Sequence, residues 1–333
     1  MVAESMIKDN SNHQAIQWAC SCLSSHGYEL KNDSPEMVQD APWSYVIRFI
    51  TSSGYIYLKQ TPPGLALEAS IIQVLRDQFH ASVPSVIAHN SELSCFLMKD
   101  AGRTLRSILK QNFDEALLCK AIDQFTSLQI EVAKNVDVFF DLGVPDWRLD
   151  KFPELYQQLF VQKDVLIADG LSEAEVTQLE QLTSTLHDLC KKLSNYSIKP
   201  TLVQPDFNDN NTLFDDISQK ITIIDLGEIV ISHPFFSLLN CVHVIKKHHG
   251  LTEQDDRYFR IRDACLQNFM KTESKNRLLE ALEIARLLSP IYGVFAGYRM
   301  IRACCQSKFT GSFARHARPG LSLREFINKH ELT

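Results

Sequence analysis

The stretch QPDFNDNN at residues 204–211 is followed by the run ITIIDLG at residues 221–227. Asp206 and Asn211 lie in the first stretch, and Asp225 follows the β-branched residues of the second. In phosphoryl transfer a carboxylate accepts the proton of the attacking hydroxyl, while amide and carboxylate oxygens hold the magnesium that bridges the phosphates. The pattern therefore predicts a phosphoryl-transfer site, with Asp206 as the base and Asn211 and Asp225 as metal ligands.

The same part of the chain has a second interpretation. Asp and Asn are among the commonest turn residues, so the runs at residues 209–211 and 215–216 are also typical of a hairpin loop without chemistry. The spacing of the residues alone leaves both interpretations open.

The N-terminal third of the chain favours the chemical interpretation. The runs WSYVIRFI at 43–50 and YIYLK at 55–59 flank a turn that contains a glycine, which predicts a β-hairpin. Lys59 ends the second strand, and Glu68 begins an apolar-periodic helix at 68–79. A strand lysine held by a helix glutamate directs its ammonium group at the α- and β-phosphates of a nucleotide. The alternative is a solvated lysine and an ordinary acid at a helix N-terminus.

A third segment lies between these two regions. The short apolar run CFLM at 95–98 leads into KDAG at 99–102, and a helix is predicted to begin near Thr104. A strand followed by such a linker predicts the hinge of a two-lobed nucleotide enzyme, where main-chain groups bind adenine. A core strand that ends in an ordinary turn has the same pattern, so the prediction depends on the position of the segment in the chain.

These motifs, in this order, carry a family resemblance. Lys59, Glu68 and the stretches FLMKDAG at 96–102, QPDFNDNNTLF at 204–214 and IIDLGE at 223–228 resemble the aminoglycoside phosphotransferase and choline kinase superfamily of small-molecule kinases. The resemblance covers most of the chain and is specific mainly at the motifs.

The resemblance implies an α+β fold that is bilobal and protein-kinase-like. A small N-terminal β-sheet lobe would bind the nucleotide, and a larger, mainly helical C-terminal lobe would carry the catalytic loop and the acceptor site. The implied boundaries are residues 1–98 for the first lobe, 99–103 for the hinge and 104–333 for the second lobe.

The resemblance also implies an activity and its residues. The activity is ATP- and Mg-dependent phosphorylation of a hydroxyl on a small molecule, such as an amino sugar, an amino alcohol or a related metabolite. The implied roles are catalytic base for Asp206, metal ligands for Asn211 and Asp225, phosphate contact for Lys59 with Glu68 as its partner, gatekeeper for Met98, and adenine binding by main-chain groups of Lys99 and Ala101.

Several positions depart from the family pattern. Gln204-Pro205 stands where the family has His-Gly, Asn208 where it has a second His, and Ser237 where it often has an Asp. The segment at 41–44, expected to cover the phosphates, lacks glycine. Gln204 can still donate a neutral hydrogen bond and Ser237 can still cap a backbone group. The departures favour an alternative function, a catalytically impaired kinase-like protein that binds nucleotide or a protein partner.

The phosphate acceptor would lie between the catalytic loop and the C-terminal helices. Acidic and aromatic side chains favour a cationic acceptor there, through charge pairing and cation–π contacts. Each of these side chains also has a purely structural interpretation, such as core packing of an aromatic ring. The candidates for the wall of the acceptor site are Asp146, Trp147, Asp150, Glu228, Tyr292, Tyr298 and Arg299.

Composition limits the remaining possibilities. The chain has 333 residues, 45% of them hydrophobic, which is enough for two lobes with a core each. The net charge of −6 disfavours a nucleic-acid partner. With no long apolar run and no leader pattern, a cytoplasmic protein without membrane contact is expected. The nine cysteines are expected to be reduced. The sequence gives no indication of the oligomeric state.

Helical periodicity and polar runs complete the predicted organisation. Ser172 and Glu175 form a capping-box pattern ahead of one long helix to Leu193. The basic run KKHH at 246–249 is interpreted as a solvated helix end. A polar linker is predicted at 31–40, and further helices are predicted at 13–26, 255–270, 274–288, 292–306 and 322–330.

Overall fold

The N-terminal lobe is built on one antiparallel sheet. The structure, a computed structural model, describes residues 2–31, 34–304 and 306–330. The sheet has the order β1-β2-β3-β5-β4. The helix α1, Val2–Ser25, precedes it, and its strands are β1 Glu36–Ala41, β2 Ser44–Thr51, β3 Gly54–Gln60, β4 Val86–Asn90 and β5 Cys95–Lys99.

The predicted hairpin forms the centre of this sheet. β2 and β3 pair from Tyr45 opposite Gln60 to Thr51 opposite Gly54. Alternate side chains of these strands point to one face, and their buried members pack against α1. This small core contains Ala15, Ala19, Leu23, Ile47, Phe49, Ile56, Leu58, Cys95 and Leu97.

The helix α2, Glu68–Phe79, has the predicted bounds and connects the two lobes. Its apolar residues Ile71, Ile72 and Leu75 are buried in the core of the C-terminal lobe, not in the small core beneath the sheet. The helix therefore fixes the position of Glu68 relative to both lobes.

The C-terminal lobe is mainly helical. Its helices are α3 Leu105–Gln111, α4 Glu115–Val132, α5 Asp137–Asp141, α6 Phe152–Val161, α7 Lys163–Asp169, α8 Glu173–Gln181, α9 Thr183–Ser194, α10 Phe235–His249, α11 Asp256–Gln267, α12 Lys275–Cys304 and α13 Leu323–His330. Two small sheets lie among them, formed by β6 Arg103–Thr104, β7 Thr201–Val203, β8 Thr212–Asp215, β9 Lys220–Ile223 and β10 Val230–Ser232.

The end of the hinge needs a glycine. Gly102 has a φ of +105°, and a Cβ atom there would lie 2.2 Å from the carbonyl oxygen of Phe214. Only glycine allows this close approach, which brings β6 alongside β8. The hinge is thereby joined to the hairpin of β8 and β9, between the two segments predicted to carry the chemistry.

Three predicted elements are corrected by the structure. The segment at 31–40, predicted to be a polar linker, contains most of the strand β1, whose residues are nearly all exposed. Asn32 and Asp33 of the predicted linker lie outside the described residues. The predicted long helix to Leu193 is two helices, α8 and α9, separated at Leu182. The predicted helices at 274–288 and 292–306 are one helix, α12, with Pro290 inside it.

Pro290 predicts a helix break because it lacks an N–H group and its ring crowds the preceding turn. Burial overrides that preference here. Leu288 and Ile291 on either side of the proline are fully buried, as is Val294 one turn further on. Core packing along this face supports α12 across the missing hydrogen bond.

The helix predicted at 13–26 is longer and spans Val2–Ser25. Ser172 and Glu175 form the capping box at the start of α8. The cysteines among the described residues are free thiols, while Cys305 lies outside that part of the chain. None of the helices within the described ranges is long and apolar enough to cross a membrane.

Candidate active site

Lys59 lies at the junction of the two lobes. Its Nζ is 2.7 Å from Oε2 of Glu68 and also contacts Oδ1 of Asp225. Burial alone would lower the pKa of Lys59, but the carboxylates of Asp225 and Glu68 together raise it above its ordinary value. Glu68 accepts a second hydrogen bond of 3.1 Å from the backbone N–H of Leu226. The predicted lysine–glutamate pair is therefore joined directly to the DLG segment.

The backbone of Asp225 adopts a conformation that is uncommon for a residue with a side chain. Its φ is +65°, in the left-handed region that Asp and Asn tolerate better than other non-glycine residues. The side-chain amide of Gln204 donates to the carbonyls of Ile224 at 2.8 Å and of Asp225 at 3.0 Å. These bonds fix the segment, so the carboxylate of Asp225 points into the cleft beside Lys59.

The catalytic loop presents the carboxylate of Asp206 to the same cleft. The amide of Asn208 donates to Oδ1 and the amide of Asn211 donates to Oδ2, each at 2.8 Å. Burial within the cleft and the charge of Asp225 raise the pKa of Asp206, whereas hydrogen bonds from Asn211 and Asn240 lower it. The side chain is still accessible from the cleft, so burial here means restricted hydration rather than enclosure.

Gln204, Asn208 and Ser237, which depart from the pattern of the resembled superfamily, make specific contacts. The backbone N–H of Gln204 donates to Oγ of Ser237 at 2.9 Å, and the Ser237 hydroxyl donates back to the Gln204 carbonyl at 3.0 Å. Gln204 thus keeps a neutral hydrogen bond and Ser237 caps the backbone. Asn208 orients Asp206, as described above. The departures leave the loop anchored.

A buried ion network behind the loop gave no signal in the sequence. Arg106 donates to Oδ1 of Asp209 through Nε at 3.0 Å, and to Oδ1 of Asn208 at 2.9 Å. Nε2 of His249 lies 2.7 Å from the other oxygen of Asp209, whose side chain is fully buried. The interpretation of the run 246–249 as solvated is therefore wrong for His249. The network continues through Asn208 to Asp206.

The predicted hinge begins at Lys99, the last residue of the strand β5. Met98 is in β5, opposite Tyr57 of β3. The backbone N–H of Lys99 donates to the carbonyl of Ser85 at 3.0 Å, so an adenine contact from Lys99 would use its carbonyl oxygen. Ala101 is half-buried beside Gly102. Adenine binding by Lys99 and Ala101 stays a prediction.

Three of the predicted acceptor-site residues lie near Asp206 and Asp225. Glu228 faces both carboxylates, and burial together with their charges raises its pKa to about 8. Arg299 donates to the carbonyls of Glu228 at 2.7 Å and Ile229 at 3.0 Å, so its guanidinium supports the backbone of this segment. The ring of Tyr292 is stacked on Phe236, with the ring centroids 4.5 Å apart.

The other predicted acceptor-site residues are engaged elsewhere or point to solvent. Asp146 forms an ion pair with Arg148 at 2.6 Å. Trp147 is buried against the rings of Tyr292 and Phe295, and the hydroxyl of Tyr298 donates to Asp169 at 2.7 Å. Asp150 is exposed. Residue type alone therefore could not distinguish acidic and aromatic side chains with a structural role from those that line a binding site.

The residues present fit a nucleotide-bound magnesium better than an independent metal site. Asn211 and Asp225 offer hard oxygen donors, and the backbone N–H of Ile224 donates to the Asn211 carbonyl at 3.0 Å, which joins their two segments. No cluster of three or more His, Cys, Asp or Glu that could hold a metal occurs in the described part of the chain. The remaining ligands would come from phosphate oxygens and water.

Comparisons with known proteins give the same fold. No family model and no curated protein matches the sequence. The aminoglycoside phosphotransferase APH(2")-IIia, solved with GDP and kanamycin, is 15% identical with a TM-score of 0.58, over 94% of this chain and 99% of that one.

Two further solved structures extend the comparison to other acceptors. The macrolide 2'-phosphotransferase MphH from Brachybacterium faecium is 13% identical with a TM-score of 0.58, over 90% of this chain and 96% of that one. An ethanolamine kinase from Plasmodium vivax is 10% identical with a TM-score of 0.55, over 89% and 84%. The bilobal kinase-like fold that the resemblance implied is thus confirmed.

Loss of Arg106 should destabilise the protein. Arg106→Leu leaves the buried carboxylate of Asp209 without its strongest partner, and we expect a loss of about 3–5 kcal/mol in the free energy of unfolding. The matched control is Arg103→Leu, which breaks a pair with Asp216 of the same 2.7 Å length but half exposed on both sides. That variant should lose less than about 1 kcal/mol. Urea unfolding measures both, and equal losses would contradict the structural role.

The titration of Glu228 should be visible in the stability of the protein. Its pKa is about 8 in the folded chain against an ordinary value of 4.5, so the folded state binds more protons between these values. The neutral Glu228 side chain therefore contributes to the free energy of unfolding at low pH, and this contribution is lost as pH rises from about 4.5 towards 8.

Glu228→Gln removes this titration and stays neutral. We expect its melting temperature, relative to the original protein, to rise between pH 5 and pH 8.5 by about 2 °C or less for each kcal/mol involved, because the shift per kcal/mol falls as the chain grows longer. Thermal unfolding in EDTA measures this, with the exposed Glu92→Gln as the control. Melting curves that stay parallel over this range would contradict the buried, neutral state of Glu228.

Proposed function

We propose that this protein is an ATP- and Mg-dependent phosphotransferase that phosphorylates a hydroxyl group of a small molecule. The observation that carries the proposal is the convergence of Lys59, Asp206 and Asp225 on one cleft, with Glu68 buried beneath the lysine. Phosphoryl transfer depends on positioning and charge stabilisation, and these are the groups it requires. A binding module has no need to retain a base.

Each group has a distinct role in the proposed mechanism. Magnesium, when bound with the nucleotide, would neutralise charge on the phosphates, and Asn211 and Asp225 would hold it. Lys59 would contact the α- and β-phosphates. Asp206 would accept the hydroxyl proton while the acceptor oxygen forms its bond to the γ-phosphorus. The bond from that phosphorus to the β,γ-bridging oxygen breaks, and ADP leaves with the electron pair.

The geometry of Asp206 suits a base. Both carboxylate oxygens accept amide hydrogen bonds, from Asn208 and from Asn211, and the four lone pairs of the carboxylate leave room for the acceptor hydroxyl even with the further bond from Asn240. The raised pKa makes the carboxylate more basic than an exposed Asp. Arg106 holds Asn208 from behind and therefore limits rotation of the carboxylate.

The alternative, a catalytically impaired nucleotide- or protein-binding module, was suggested by the missing histidines and the glycine-poor turn. The contacts of Gln204, Asn208 and Ser237 weaken the first argument, because each supplies a hydrogen bond that anchors the loop. Both nucleotides are compatible with the fold, since neighbouring structures were solved with GDP and with ATP. ATP and an amino sugar or amino alcohol acceptor stay predictions from the resemblance.

Asp206→Asn separates the two functions. The substitution keeps the size of the side chain but removes its charge and basicity, so we expect phosphoryl transfer to fall by about 10²–10⁴-fold with nucleotide affinity nearly unchanged. ADP release is measured across a panel of amino alcohols, aminoglycosides and uncharged alcohols. The control is Asp216→Asn in the exposed turn after β8. If the rate of Asp206→Asn stays within a factor of a few of the original rate, Asp206 is not the base.

Asp225→Asn tests the metal role. Asn also tolerates the left-handed backbone at this position and loses one anionic ligand; because Lys59 keeps the carboxylate of Glu68, the protein should still fold, with reduced stability. Calorimetry with ATP, with and without magnesium, should show that the magnesium-dependent part of the affinity disappears. An unchanged affinity for the Mg–ATP complex would count against Asp225 as a ligand.

A further inference from the structure

A groove of about 790 Å³ opens between α10, α11, α12 and α13 of the C-terminal lobe. Its volume lies within the usual range for small-molecule sites. It shares only Tyr292 with the acceptor wall that the sequence predicted. The groove is therefore a different surface from the one inferred from acidic and aromatic residues.

The inner end of the groove reaches the catalytic loop. Pro205, the neighbour of Asp206 in the chain, lines it, and so does Asn240. The Asn240 amide donates to the carbonyl of Phe207 at 3.3 Å and contributes a hydrogen bond that lowers the pKa of Asp206. A molecule in the groove would thus have one end against the loop that carries the proposed base, at the residue next to it in the chain.

The inner walls of the groove are apolar and aromatic. Phe236, Cys265 and Leu282 line it and are buried. Tyr292 is also buried, and its hydroxyl has no hydrogen-bond partner within the described residues. An unpartnered buried hydroxyl is costly, so a ligand group that reaches Tyr292 would relieve that cost.

The carboxylates of the groove lie at its outer rim in ion pairs, and Arg262, a further cation of the lining, pairs with Asp263 at 2.8 Å. Glu253 pairs with Lys246 and Glu325 with Lys329, each at 2.7 Å, and Glu283 pairs with Arg286. Every acid that lines the groove therefore has a basic partner that also lines it. A polycation would have to replace these partners, because it finds no unpaired carboxylate there.

We propose that the groove binds an acceptor with an apolar or aromatic body and at most one positive charge, with its hydroxyl directed at Asp206. This inference rests on the proposed function for the role of Asp206. It narrows the predicted acceptor, because it excludes polycationic amino sugars and leaves singly charged or uncharged hydroxyl compounds.

Gly293 provides a specific way to block the groove. It lines the groove on α12, and a Cβ atom there would meet no heavy atom within 4 Å. A leucine at this position extends into the groove, and it also favours the helix more than glycine does. Gly293→Leu should therefore fold and narrow the groove, while Gly293→Ala, which adds only a methyl group, is the matched control.

Binding is measured by calorimetry at low salt without nucleotide. The uncharged probes are 4-nitrophenyl β-D-glucoside, 2-phenylethanol and uridine, and the polycationic probe is kanamycin. We expect at least one uncharged probe to bind the original protein and Gly293→Ala, and to bind Gly293→Leu at least about tenfold more weakly. Kanamycin should bind the original protein more weakly than that probe.

Three results would overturn the inference: no binding by any uncharged probe, tighter binding of kanamycin, or unchanged affinities in Gly293→Leu. The affinity for Mg–ATP is measured on the same proteins and should be unaffected by Gly293→Leu. If Mg–ATP fails to bind the original protein, the proposed function fails while the groove measurements still decide the class of ligand. If Mg–ATP binds and the probe results are reversed, only the acceptor class is wrong.

Discussion

The ion pairs of Lys59 are the interaction on which the geometry of the cleft depends. A buried ammonium group is tolerated only when carboxylates compensate it, so β3, α2 and the segment after β9 must converge on one point. Because α2 is packed in the core of the larger lobe, the same contact sets the distance between the lobes. Removing either carboxylate would leave a buried charge with half its compensation.

Two other contacts restrain parts that Lys59 does not reach. The network of Arg106, Asp209 and His249 anchors the catalytic loop from the side of the C-terminal lobe. At the opposite end, the ring of Trp43 in the turn between β1 and β2 packs on Phe313, with the ring centroids 5.1 Å apart. The glycine-poor turn is therefore held against the C-terminal lobe by the ring of Trp43.

The sequence predicted those parts of the molecule in which local pattern and chemistry coincide. The bounds of α2 followed from its apolar period, and Lys59 and Glu68 were paired because their order in the chain matched a mechanism. The edge strand β1 was missed because its first five residues are exposed, and its apolar residues Met37 and Val38 are adjacent rather than alternating as in a half-buried strand. Arg106 and His249 were missed because ion pairs between residues far apart in the chain leave no periodic signal, and an isolated basic residue is usually solvated.

Charge is arranged differently at the proposed reaction site and in the neighbouring groove of the larger lobe. Asp206, Asp225 and Glu228 lie close enough for mutual repulsion to raise the pKa of Asp206 and of Glu228. Lys59 is the cation that directly contacts this cluster through Asp225. The acids of the neighbouring groove, by contrast, are neutralised by their own partners. Under the proposed function, substitutions at these rim pairs would therefore change which acceptor fits without altering the field that acts on the reacting phosphate. An exposed pair of opposite charges contributes little to the electrostatic potential at a distance, because the two charges offset each other and solvent and salt screen them.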